Sequence, residues 1–123
     1  MPIPSTPADP EVVLAILRQH EGRERAIKAK MVARLLEERH GRRLARGDRK
    51  VGLAVAELRE RDDLDAVILS GDHGYWTAET PEECDECIGR LQAKAKSLLG
   101  IIRALERGRS RVFGESEQLG LGL

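Results

Sequence analysis

The chain has 123 residues, which is room for one domain with a modest core and a tail. Its single Phe, Tyr and Trp require that core to be built from Leu, Ile, Val and Ala, and its 21 basic and 21 acidic residues cancel. Two cysteines are too few for a disulfide-framed scaffold, no apolar run nears the roughly 20 residues of a membrane span, and the Pro-rich start is not a signal peptide; a soluble protein of a reducing, cytoplasmic compartment is expected.

Residues 1–8 read as disordered. Asp9 then caps a helix that begins with Pro10, carries Val13, Ile16 and Leu17 at helical spacing, and stops at Gly22. "RAIKA" at 25–29 is short enough to be a strand stub. Val32, Leu35 and Leu36 mark a second helix from about Lys30 to just before Gly41. "GRRLARGD" is a basic loop, and Asp48 is the expected N-cap of a third helix with Val51, Ala54, Val55 and Leu58 on one face. "AVILS" at 66–70 is β-branched and reads as a strand, "GDHG" as a hairpin loop and "YWTAE" as the returning strand. Alternation along that strand puts Tyr75 and Trp76 on opposite faces. One should fill the core behind the third helix, and the other should cover the start of the last helix. Thr80, Pro81 and Glu83 form a capping box for that last helix, expected to run to about Arg107.

The expected fold is therefore mostly α with a small β-hairpin. Three helices followed by a hairpin is the layout of a winged helix-turn-helix, here over 9–80, with a long helix over 81–107 and a flexible tail over 108–123. The segment 51–105, from "VGLAVAELRERDDLDAVILSGDHGYWTAE" into the long helix, resembles a family of small winged-helix proteins of phages and prophages. Leu58-Arg59-Glu60 and Gly74-Tyr75 are the most specific pieces of a likeness that covers about residues 10–107. The resemblance implies the fold and a DNA-related role.

Charge is segregated. Residues 23–50 carry eleven bases against four acids, whereas 51–89 carry two against eleven. The basic block calls for an anionic partner such as double-stranded DNA; the alternative is that the blocks neutralise one another in the fold. A recognition helix would place Arg49 and Lys50 at the major groove, with Arg42, Arg43 and Arg46 on the loop before it. Leu53 and Ala56 would lie on its exposed side, within reach of thymine methyl groups. His73 sits at the wing tip beside Asp72, which phosphate repels, so contacts to the DNA backbone from the Arg loop should dominate. The alternative use of the same fold is protein docking.

Cys84 and Cys87 are one helical turn apart. Zinc would need four ligands, while His20, His40 and His73 are scattered, and a redox motif would need a βαβ context. The expectation is no metal, with Cys84 a small apolar contact and Cys87 a half-exposed thiol. No phosphate loop or nucleophile set occurs, so neither a cofactor nor an enzyme is expected. Along the last helix, Cys84, Ile88, Leu91, Ala95, Leu98, Ile102 and Leu105 recur at steps of four and three, a coiled-coil seam that predicts a homodimer; the alternative is a helix folded back on its own domain. The final six residues offer Gln118, Leu119, Leu121 and Leu123. They resemble the hexapeptide by which many bacterial proteins bind the replicative sliding clamp, and read otherwise as an unstructured or strand-swapped tail. Together these point to a phage or bacterial DNA-binding protein of replication or its control. The alternatives are a transcriptional repressor of the same fold and a protein-interaction adaptor.

Overall fold

The computed structural model describes residues 8–41 and 43–114. In chain order it contains α1 (Pro10–Leu17), a 3-10 turn (Arg23–Arg25), α2 (Ala29–His40), α3 (Gly47–Arg59), β1 (Ile68–Gly71), β2 (Gly74–Thr77) and α4 (Pro81–Phe113). It is mostly helical, with one antiparallel hairpin. The chain divides into two compact units, Met1–Cys87 and Ile88–Leu123, with the boundary inside α4. Among the described residues, no helix is long and apolar enough to cross a membrane.

Unit one has a real core. Val13 and Leu17 of α1, Val32 and Leu36 of α2, and Val51, Val55 and Leu58 of α3 are buried together with Ile68 of β1. These are the apolar positions that helical spacing assigned to the inner face of each helix. Asp9 caps α1 by accepting from the Glu11 N–H at 2.9 Å, with Pro10 at the first helical position. That helix ends at Leu17, ahead of Gly22, because the turn Arg18–His20 closes on the carbonyls of Ile16 and Leu17.

The strand stub at 25–29 does take part in the sheet. β2 pairs with β1 in the register Leu69–Trp76 and Ser70–Tyr75. On its other edge, Ile27 and Tyr75 exchange both backbone hydrogen bonds at 2.8 Å, and Gly22 N–H donates to the Thr77 carbonyl at 2.9 Å. The chain passes so close here that a Cβ on Gly74 would lie 2.2 Å from the Ile27 carbonyl oxygen; with φ at +115°, the position admits only glycine. The turn itself is the pair Asp72–His73, shorter than the four-residue loop expected.

Tyr75 and Trp76 divide as alternation requires. Tyr75 packs against the three-helix core, its hydroxyl over Gly52 of α3. Trp76 is buried in a second cluster with Leu69 and Cys87, which Cys84 also joins. The two thiols reverse their expected roles. Cys87 is buried, its Sγ 3.6 Å from the Ser70 carbonyl, while Cys84 is half-buried, because the inward face of the first turns of α4 passes through residue 87.

The capping box of α4 forms: Glu83 N–H donates to Thr80 Oγ1 and Thr80 N–H donates to Glu83 Oε2, both at 3.3 Å. The same carboxylate also accepts from the Glu79 N–H at 2.6 Å and the Arg23 N–H at 2.9 Å. The far end of α4 departs from expectation. The helix continues through Gly108 to Phe113 and stops where Gly114 turns to φ +90°, its N–H on the Ser110 carbonyl. A lone glycine costs a helix about 1 kcal/mol, which the flanking residues of a long helix absorb.

Candidate nucleic-acid interface

The turn between α2 and α3 is built to hold its arginines outward. Leu44 is buried in the core, and its N–H donates to Glu37 Oε1 at 3.1 Å, so the loop is pinned from inside and from α2. Arg46 takes a left-handed conformation, φ 54° and ψ 46°, and serves as the N-cap of α3; Asp48, expected there, lies inside the first turn. The start of α3 runs so close to α2 that a Cβ on Gly47 would meet the Ala33 Cβ at 2.5 Å. Glycine at 47 is what lets the two helices approach, and the chain must reverse tightly just before it. Arg46 makes that reversal, and the helix is capped two residues before Asp48.

Arg43 and Arg46 are exposed on either side of buried Leu44, and Arg49 is exposed on the first turn of α3. Lys50 is half-buried and makes contacts of its own, so it points less freely than expected. Leu53 is 63% exposed one turn further on, with Ala56 exposed beyond it. His73 and Asp72 are both exposed at the hairpin turn. Arg42 lies outside the described residues, as do Gln118, Leu119, Leu121 and Leu123. Of the seam positions, Ile88, Leu91, Leu98, Ile102 and Leu105 are each about half exposed or more, and Ala95 is exposed.

The ion pairs decide whether the charged blocks cancel inside the fold. Arg18 pairs with Asp65, Arg61 with Glu11, and Arg23 with Glu86 at 2.9 Å. Only Arg23 belongs to the basic block. Among the described residues, Arg43, Arg46 and Arg49 have no ion-pair partner, and neither do Lys28 at the N-cap of α2 or Lys30 and Arg34 in its first turns. α3 is polarised in net charge: Arg46, Arg49 and Lys50 outweigh Asp48 at its start, and Glu57 and Glu60 outweigh Arg59 at its end. The unsatisfied N–H groups at its start add positive potential to the same end.

Several side chains take on long-range ties that the sequence alone did not assign to them. Arg59 reaches from the end of α3 to the hairpin, donating Nε to the Ile68 carbonyl at 3.0 Å and a terminal nitrogen to Ser70 Oγ at 3.2 Å. Within Leu58-Arg59-Glu60, then, Leu58 fills the core and Arg59 ties helix to sheet. Glu83 is held below the usual carboxylate range, chiefly by the Glu79 N–H and then the Arg23 N–H. The Arg18 guanidinium lowers Asp65 in the same way, and the hydrogen bond to Glu11 raises Arg61. Among the described residues, no three His, Cys, Asp or Glu side chains converge on a metal position.

Compared with family models, with curated proteins and with solved structures, the chain finds no match in any of the three.

Proposed function

We propose that residues 9–80 form a winged helix-turn-helix that binds double-stranded DNA through the α2–α3 turn and the start of α3. The observation that carries this is the cluster of exposed arginines, 43, 46 and 49, left without carboxylate partners around a turn pinned by Leu44 and Glu37. Arginines without acidic partners, at the cationic end of a helix, suit phosphate and guanine. The pairing of residue 27 with β2 supports the same fold, since it joins the segment ahead of α2 to the hairpin that follows α3. The likeness to phage and prophage winged-helix proteins supports a DNA-related role, and the likeness of the last six residues to a clamp-binding hexapeptide supports replication or its control. On that reading α4 joins two copies, and Gln118, Leu119, Leu121 and Leu123 engage a sliding clamp. One observation favours a protein-docking adaptor instead: Asp72 stands exposed at the hairpin tip, where phosphate repels it.

The test is a titration of labelled duplex DNA across a range of salt. The wild-type chain should bind at low salt. Replacing Arg42, Arg43 and Arg46 with Ala should weaken binding to every sequence and flatten the salt slope by about three units, one per lost phosphate contact. A wild-type chain with no affinity for duplex at low salt would overturn the proposal in favour of the adaptor.

A further inference from the structure

We propose that α4 pairs with α4 of a second copy in the antiparallel direction, with Ile88 of one chain against Leu105 of the other. This rests on the pairing of two copies stated above and adds its direction and register.

In unit two the apolar side chains form a stripe that the described residues leave uncovered. Ile88, Leu91, Leu98, Ile102 and Leu105 lie between 50% and 68% exposed, and Leu99 and Ile101 beside them are equally open. Assigning the heptad places Ile88, Ala95 and Ile102 at one seam position and Leu91, Leu98 and Leu105 at the other. A stripe of this kind on a long helix is buried by a like stripe. The Ile and Leu alternation is the one that limits parallel coils to two strands. Two further features reverse the direction.

The first is volume. In a parallel pair each residue faces itself, so Ala95 meets Ala95 of the second copy and leaves a gap in the middle of the seam. In the antiparallel pair each position meets the other kind: Ile88 meets Leu105, Leu91 meets Ile102 and Ala95 meets Leu98. Every layer then holds a leucine, and the small residue is filled by a large one, as close packing requires. A slip of one heptad is worse either way, since it sets Arg109 against Leu91 or leaves Leu105 against Pro81.

The second is charge. The first two turns of α4 carry Glu82, Glu83, Asp85 and Glu86 with no base, whereas residues 88–113 carry seven bases against one acid. A parallel pair stacks acid on acid and base on base. The antiparallel pair brings the acidic start of each helix, where Glu82 and Asp85 have no ion-pair partner among the described residues, to the basic 107–111 end of the other. Opposite charges at that spacing attract, and like charges repel.

Cross-linking of the full chain tests the direction. In a background of Cys84→Ala and Cys87→Ala, two proteins are compared under mild oxidation: Ile88→Cys alone, and Ile88→Cys with Leu105→Cys. Residues 88 and 105 lie about 25 Å apart along one helix, so no disulfide can close within a chain. Helical circular dichroism confirms that each variant folds. The expected result is a covalent dimer from the double variant and none from the single. A dimer from Ile88→Cys alone would show a parallel pair and overturn the direction while leaving the pairing intact. If the wild-type chain sediments as a monomer at tens of micromolar, the pairing itself is overturned. A monomer that dimerises only after removal of residues 115–123 would place the tail on this face and overturn it as well.

Discussion

The two units use the same apolar alphabet to opposite ends. In residues 8–87, Leu, Ile and Val turn inward from three helices and a hairpin, and six of the largest lie almost wholly out of water, Leu17, Leu58 and Val51 among them. In residues 88–114 the same residue types sit on one helix, half exposed or more. Amphipathic spacing thus marks a face that will be buried but does not say by what. Connection does: short loops fold α1, α2 and α3 onto one another and set the first turns of α4 on Leu69 and Trp76, whereas no described element follows residues 88–113. The charges follow the same division. Unit one spends carboxylates on Arg18, Arg23 and Arg61 and leaves the arginines of the α2–α3 turn exposed. Residues 88–114 carry seven bases and one acid.

The contrast breaks most sharply at a pair of leucines. Leu58→Ala, at a fully buried site, should cost unit one about 2–5 kcal/mol, independent of protein concentration. Leu98→Ala should leave that transition unmoved and weaken only self-association. Trp76 fluorescence reads the difference during urea unfolding, because the single tryptophan lies in unit one. A similar loss from both variants would mean that Leu98 belongs to the first core.

Next in size is Arg59→Leu. It removes the donors to the Ile68 carbonyl and Ser70 Oγ, and should cost about 1–3 kcal/mol in the same unfolding experiment. Amide exchange should rise first in β1 and β2. Unchanged exchange there would show that the hairpin does not depend on α3 for its position. Smaller again is Thr80→Ala, which deletes one half of the capping box. About 1 kcal/mol is expected, read at Trp76, with no change in sedimentation.

The smallest effect is a dependence on pH. Glu83 and Asp65 titrate lower in the folded chain than in the unfolded one. Their stabilisation is therefore complete above the ordinary carboxylate range and is lost as pH falls through their folded values. Urea midpoints should hold steady near neutrality and drop below about pH 4, and Glu83→Gln should flatten part of that drop. An equal drop in the variant would assign the acid sensitivity to other carboxylates.

Much of unit one was legible from short-range chemistry. Asp9–Pro10 and Thr80-x-x-Glu83 are complete within a few residues, and both caps form where the sequence places them. Alternation separated Tyr75 from Trp76 correctly, and helical spacing selected the buried face of α3. What escaped were features set by distant approach. Asp48 is a good capping residue, but contact between Gly47 and Ala33 starts α3 earlier, at left-handed Arg46. Gly108 resembles a stop, yet the helix carries on to a glycine that actually turns. The role of Arg59 depends on a strand nine residues on, and that of Cys87 on where α4 crosses Trp76. No local pattern encodes either. The exposed cations of α2, Lys28, Lys30 and Arg34, were visible only as part of a block. Their lack of acidic partners required the fold.

Because both units are cationic in places, the decisive measurement is amide hydrogen exchange of the full chain with and without duplex DNA. DNA held by the α2–α3 turn should protect residues 43–53 and leave 90–111 as they are in the protein alone. Protection confined to 90–111, with the start of α3 unchanged, would contradict the assignment and move the nucleic-acid contact to the long helix.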